Sequence, residues 1–145
     1  MDEEYIKTLS IEEKIVFLKI FCCLIRADGN IDKEEIDFLK HIAAKYGIDN
    51  STTVQIIKNS NAINPEYEAG KITTRQHGLE LLKELCFLAN IDENLHEKEL
   101  DVIIAVGRAM NIEDEKIVLI NRFVLDNLIL SKTGRIILER NDNEL

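Results

Sequence analysis

The sequence predicts an all-α fold: a compact helical bundle of two helical repeats related by a pseudo-twofold axis. Three observations predict it. First, Ala27-Asp28-Gly29-Asn30-Ile31-Asp32-Lys33-Glu34-Glu35-Ile36-Asp37 returns, displaced by 64 positions, as Ile91-Asp92-Glu93-Asn94-Leu95-His96-Glu97-Lys98-Glu99-Leu100-Asp101. The echo continues outward, with Leu18, Lys19, Cys22 and Leu24 returning as Leu82, Lys83, Cys86 and Leu88, and Ile48 as Ile112. Second, apolar residues step by three or four rather than by two. Third, one proline, six glycines, few aromatics and no tryptophan favour helices over sheet.

A single domain over 1–145 is expected, with repeat one at about 10–58, repeat two at about 73–128 and a C-terminal segment at 129–145. Ser10 with Glu13 reads as a capping box opening a first helix, whose inward stripe is Ile11, Ile15, Leu18, Cys22 and Ile25; Asp28-Gly29 ends it. A second helix is expected from about Asp32 to Tyr46, with Ile36, Leu39, Ile42, Ala43 and Tyr46 inward and Gly47 as stop. Ser51 is expected to cap a third helix through Lys58. Asn59 to Lys71, with Asn64-Pro65 and Gly70, breaks the periodicity and reads as the connection between halves.

Thr73 with Gln76 should open the second copy, whose first helix carries Leu79, Leu82, Cys86 and Ala89. Its partner carries Leu100, Ile103, Val106 and Met110. A last helix spans roughly Glu113 to Leu128, Ile129 to Glu139 either extends it or packs separately, and Asn141 to Leu145 should fray. Ile20-Phe21-Cys22-Cys23-Leu24-Ile25 leaves little polar face, as in a helix surrounded by neighbours. The two first helices are therefore expected to pack together at the centre.

Composition excludes several classes. Twenty-seven acidic against 18 basic residues give a net charge of −9, so nucleic acid, which rewards Lys and Arg through counterion release, is not an expected partner. Acidity of this size suits cations or a basic protein surface. Three cysteines without a CxxC spacing, and the start Met1-Asp2-Glu3-Glu4, point to a reducing cytoplasm. The longest apolar run, Ile15 to Ile25, is broken by Lys19 and too short to insert in a membrane. No phosphate loop, HExxH or nucleophile elbow is present, and no enzyme is expected.

Each acidic loop offers Asp28 or Asp92, an asparagine two positions on, and Glu35 or Glu99 seven positions after the aspartate. Oxygen ligands of this kind suit Ca²⁺ or Mg²⁺. An EF-hand is rejected, because its first and third loop positions would be Leu24 and Arg26, or Leu88 and Asn90. The segment Arg26-Ala27-Asp28-Gly29-Asn30-Ile31-Asp32-Lys33-Glu34-Glu35 instead resembles the repeated "ADG.I...E" segment of TerB-like domains, the tellurite-resistance TerB family. The second copy departs from it at Ile91 and Glu93. Over roughly Ser10 to Asn127 this resemblance implies an all-helical fold of two repeats and an acidic surface site proposed to bind metal, in proteins tied to tellurite resistance and other stress responses. Related helical domains precede the J-domain of some membrane-linked co-chaperones.

If the two loops meet at one end, Asp28, Glu35, Asp92 and Glu99 form one metal site. Carboxylate charges about 6 Å apart would repel by roughly 3 kcal/mol at an effective dielectric of about 20. A cation, raised carboxylate pKa values or a basic partner would offset this. The plain alternatives stand beside it. Glu35 can be the glutamate of a capping box begun by Asp32, and Asp28 and Asp92 can be turn formers. His96 reads as incidental or as a metal ligand, Cys22 and Cys86 as small core hydrophobes, and His41 and His77 as lacking partners. The rival expectation is an adaptor without a metal, whose Ile129, Leu130, Ile136, Ile137 and Leu138 dock another protein or form a homodimer.

Overall fold

A computed structural model describes residues 3–91 and 96–144. After a 3-10 turn at Glu4–Thr8 come α1 (Ile11–Arg26), α2 (Lys33–Lys45), α3 (Asn50–Lys58), α4 (Pro65–Ala69), α5 (Arg75–Asn90), α6 (Glu97–Ala109) and α7 (Asp114–Glu144). No strand is present among the described residues. Each half repeats one local pattern: α1, α2 and α3 pack on one another, and so do α5, α6 and α7.

α1 is surrounded. Val16, Phe17, Leu18, Ile20, Phe21, Cys22 and Leu24 are all buried, against α2 to α6. This corrects the single inward stripe: Ile11 stands exposed and Ile15 and Ile25 are only partly covered, because neighbours on several sides replace one buried face. Phe17, Phe21 and Tyr46 form an aromatic cluster with centroids 6.1–6.2 Å apart, the spacing that edge-on rings prefer. Tyr5 anchors the N-terminal turn there, its hydroxyl 2.8 Å from Tyr46 Oη and donating to Glu84 Oε1 at 2.8 Å.

The caps explain the boundaries. Ser10 and Glu13 form the expected capping box. α2 ends at Gly47 (φ +74) and α6 at Asn111 (φ +59), positions 64 apart in the left-handed region. Both close identically, with Ile48 N donating to Ala43 O at 3.0 Å and Ile112 N to Gly107 O at 2.9 Å. This is the Schellman closure, in which an apolar residue then folds back onto the core; Ile48 and Ile112 are buried. The repeated isoleucine was therefore the sequence signature of a repeated helix end.

Four features differ from expectation. Asp49, not Ser51, caps α3, accepting from Thr52 N at 2.7 Å. Thr74 precedes α5 without a side-chain cap, so Thr73 and Gln76 form no capping box. The connection contains α4, opened by Asn64 (accepting from Tyr67 N at 3.1 Å) and Pro65 at the first helical position. Its buried Glu68 pairs with Lys19 at 3.4 Å and Lys71 at 3.0 Å. α7 is one continuous helix, helical through Glu144 where fraying was expected.

α1 and α5 pack against each other as expected. Between their N-terminal ends His77 Nδ1 lies 2.7 Å from Glu13 Oε2, so His77 has the partner its sequence surroundings did not reveal. Glu13 and His77 are themselves 64 positions apart, so this contact joins equivalent positions of the two sequence copies. α1 also meets α6.

Glu13 is partly desolvated, yet the Ser10 amide and His77 hold its carboxyl below the ordinary range. A lowered folded-state pKa adds stability above the unfolded value of about 4.3, and that stability is lost as pH falls through the folded value. Glu13→Ala should therefore cost about 1 kcal/mol or more at pH 7 in urea unfolding, and the gap to wild type should narrow as pH falls below about 4.3 and through the folded-state value.

Candidate functional site

The first acidic corner lies at the same end of the molecule as Ile91, His96 and Glu99, the described residues that flank the second. α1 runs out at Arg26, and Gly29, at φ +149 where a side chain would be strained, turns the chain so that Asp28 projects at the corner. Asp32 then caps α2: its Oδ1 accepts from Glu35 N at 2.8 Å, and Glu35 Oε1 accepts from Asp32 N at 3.0 Å. The capping role read for Glu35 is thus realised. In the second half His96 stands at the start of α6, and its amide donates to Glu99 Oε1 at 3.3 Å.

A surface groove of about 350 Å³ joins the corners, lined by Asp28, Asp32, Glu34 and Glu35 from the first half and Glu99 from the second. Ile25, Phe38, Leu88 and Ile91 line it as well. Asp28 Oδ2 lies 3.8 Å from His96 Nε2, both side chains about half exposed. One ligand atom each from Asp28, His96 and Glu99 fall within 4.8 Å of one another. Of the four residues expected to share a site, Asp28, Glu35 and Glu99 line this groove, and Asp92 lies outside the described residues. His96, weighed in the sequence beside Asp92 and Glu99, is placed against Asp28 of the other loop, a pairing that no local spacing could reveal.

Burial raises the Glu35 carboxyl above its ordinary value, and the negative charges of Asp32 and Asp28 add to this against the opposing hydrogen bond from the Asp32 amide. Chemically, two carboxylates from different loops and an imidazole can hold a divalent cation. Carboxylate oxygens suit Ca²⁺ and Mg²⁺, and imidazole extends the range to Mn²⁺ and Zn²⁺. The half-exposed setting would leave part of the coordination sphere to water. The thiols have no part here: burial pushes Cys22 and Cys86 up to about 12 and Cys23 to about 11, so all three stay protonated at neutral pH.

The chain matches the family model described as tellurite resistance protein TerB over residues 14–122. It belongs to the TerB family. Membership agrees with the all-helical fold and with the resemblance carried by the Arg26 to Glu35 segment. The matched region takes in both acidic loops and ends part-way along α7, so the second half of that helix extends past it. No match was found among curated proteins or among solved structures. Among the described residues, no helix of this TerB-family chain is long and apolar enough to cross a membrane.

Because the folded-state pKa of Glu35 is raised, ionising it costs stability, and the cost grows as pH rises from the unfolded value of about 4.3 through the folded one. Glutamine preserves the capping geometry. Glu35→Gln should therefore match wild type in urea unfolding at pH 3.5, well under about 4.3, and be the more stable protein at pH 7 in a chelated buffer. A variant that is weaker at pH 7 would contradict this account.

Proposed function

We propose that this TerB-family chain is a non-enzymatic domain that binds one divalent cation where its two acidic loops meet. Asp28 and Glu99 are the primary ligands, His96 joins them, and Glu35 adds to the negative field. The observation that carries the reading is the convergence of Asp28, His96 and Glu99, drawn from opposite halves of the sequence, within 4.8 Å. The cation offsets the repulsion that this convergence creates. Ca²⁺ or Mg²⁺ fits the carboxylates, and His96 makes Mn²⁺ or Zn²⁺ the informative competitors. The setting we infer is cytoplasmic, with the tellurite association that the family's name carries.

A second reading is favoured by a separate observation. Ile129, Leu130, Ile136, Ile137 and Leu138 are all exposed on α7, as an adaptor that docks a protein partner and holds no metal would require.

Thermal melts after EDTA treatment, then with each cation added, test the cation reading. A cation at a hundredfold over its Kd adds about 2.7 kcal/mol, which raises Tm by several degrees for a chain of this size. The Asp28→Asn/Glu99→Gln variant should show no such rise. Identical melts of wild type with and without every cation would remove the metal from the account.

A further inference from the structure

We propose that the outward face of α7 is a self-association surface, on which a second copy of this chain pairs antiparallel across a twofold axis beside Val124. This rests on the docking reading of α7 and is independent of the cation. α7 lies against α5 and α6, with Ile117 and Val124 buried and Ile120 and Leu128 packed on the core. Its opposite face carries exposed apolar side chains among polar ones: Leu119 is 64% exposed, Ile129 54% and Ile136 47%.

Leu119, Arg122, Asp126, Ile129, Thr133 and Ile136 follow one another in alternating steps of three and four, the spacing of a heptad seam with apolar and polar positions mixed along it. Leu119 to Ile129, the stretch that an antiparallel pairing about Val124 overlaps with its own equivalents, rises about 15 Å on a helix about 10 Å across. Most of it lies beyond the region matched to the family.

Charge selects both the occupant and the direction. Arg122 and Asp126 sit in the middle of the seam, exposed, 3.6 Å apart on one helix. An antiparallel copy centred beside Val124 sets Arg122 against Asp126 of the partner subunit, and the reciprocal pair forms by symmetry. The same register layers Leu119 on Ile129 of the partner subunit. A parallel copy would instead stack Arg122 on Arg122 and Asp126 on Asp126. A strip that complements itself in charge and apolar layering fits a second copy better than an unrelated surface.

Sedimentation equilibrium from low to high micromolar concentration tests this, with circular dichroism confirming that each variant stays folded. Wild type should dimerise. Arg122→Asp alone and Asp126→Arg alone should each weaken the dimer on the order of tenfold, and the double exchange Arg122→Asp/Asp126→Arg should restore it. A chain monomeric throughout overturns the pairing while leaving the cation reading untouched. A dimer indifferent to both single reversals overturns it too, as does a monomer that binds anionic phosphatidylglycerol vesicles through α7.

Discussion

The structure depends on α1 being enclosed. A helix with Phe17, Leu18, Ile20, Phe21, Cys22 and Leu24 all buried cannot be satisfied by the two other helices of its own repeat. It draws α4, α5 and α6 around it, so that the two halves share one core. Burying this side-chain set is worth on the order of 10 kcal/mol, at about 1.5–3 kcal/mol per large apolar residue, comparable with the whole net stability of a domain. Since α1 and α5 each lead into an acidic corner, the packing that encloses α1 also sets where those corners lie. The approach of Asp28 to His96 and Glu99 at one end is a consequence of the shared core.

Much of this was legible in the sequence wherever local chemistry decided the outcome. Ser10 with Glu13 and Asp32 with Glu35 are capping boxes because the two hydrogen bonds of each box lie within four residues. Ile48 and Ile112 flagged matching helix ends, although the left-handed Asn111 that stands where Gly47 stands was not anticipated. The repeat itself was visible because two helical hairpins retained their turn and core residues.

What the sequence withheld was set by tertiary contact. Asn64-Pro65 looked like a break, yet the same two residues start α4, which gains its reason to exist only from packing on α1 and α6. His77 finds Glu13, and His96 finds Asp28, across the junction of the halves. The second half of α7 was ambiguous because its apolar residues could equally have packed on the core, whereas residues 129–139 are all exposed. Periodicity identifies faces; it does not say which face meets the protein's own core and which is left for another surface.

Within the TerB family the chain thus combines a shared core with two distinct outlets: an acidic junction fixed by that core, and a helix that runs past it. The central claim is that the junction acts as one site rather than two independent loops. Calorimetric titration of the chelator-treated protein with its preferred divalent cation tests this most directly. The account predicts one cation per chain, with Asp28→Asn in the first loop and Glu99→Gln in the second each abolishing the same binding event. Two cations per chain, each lost to only one of these substitutions, would contradict it.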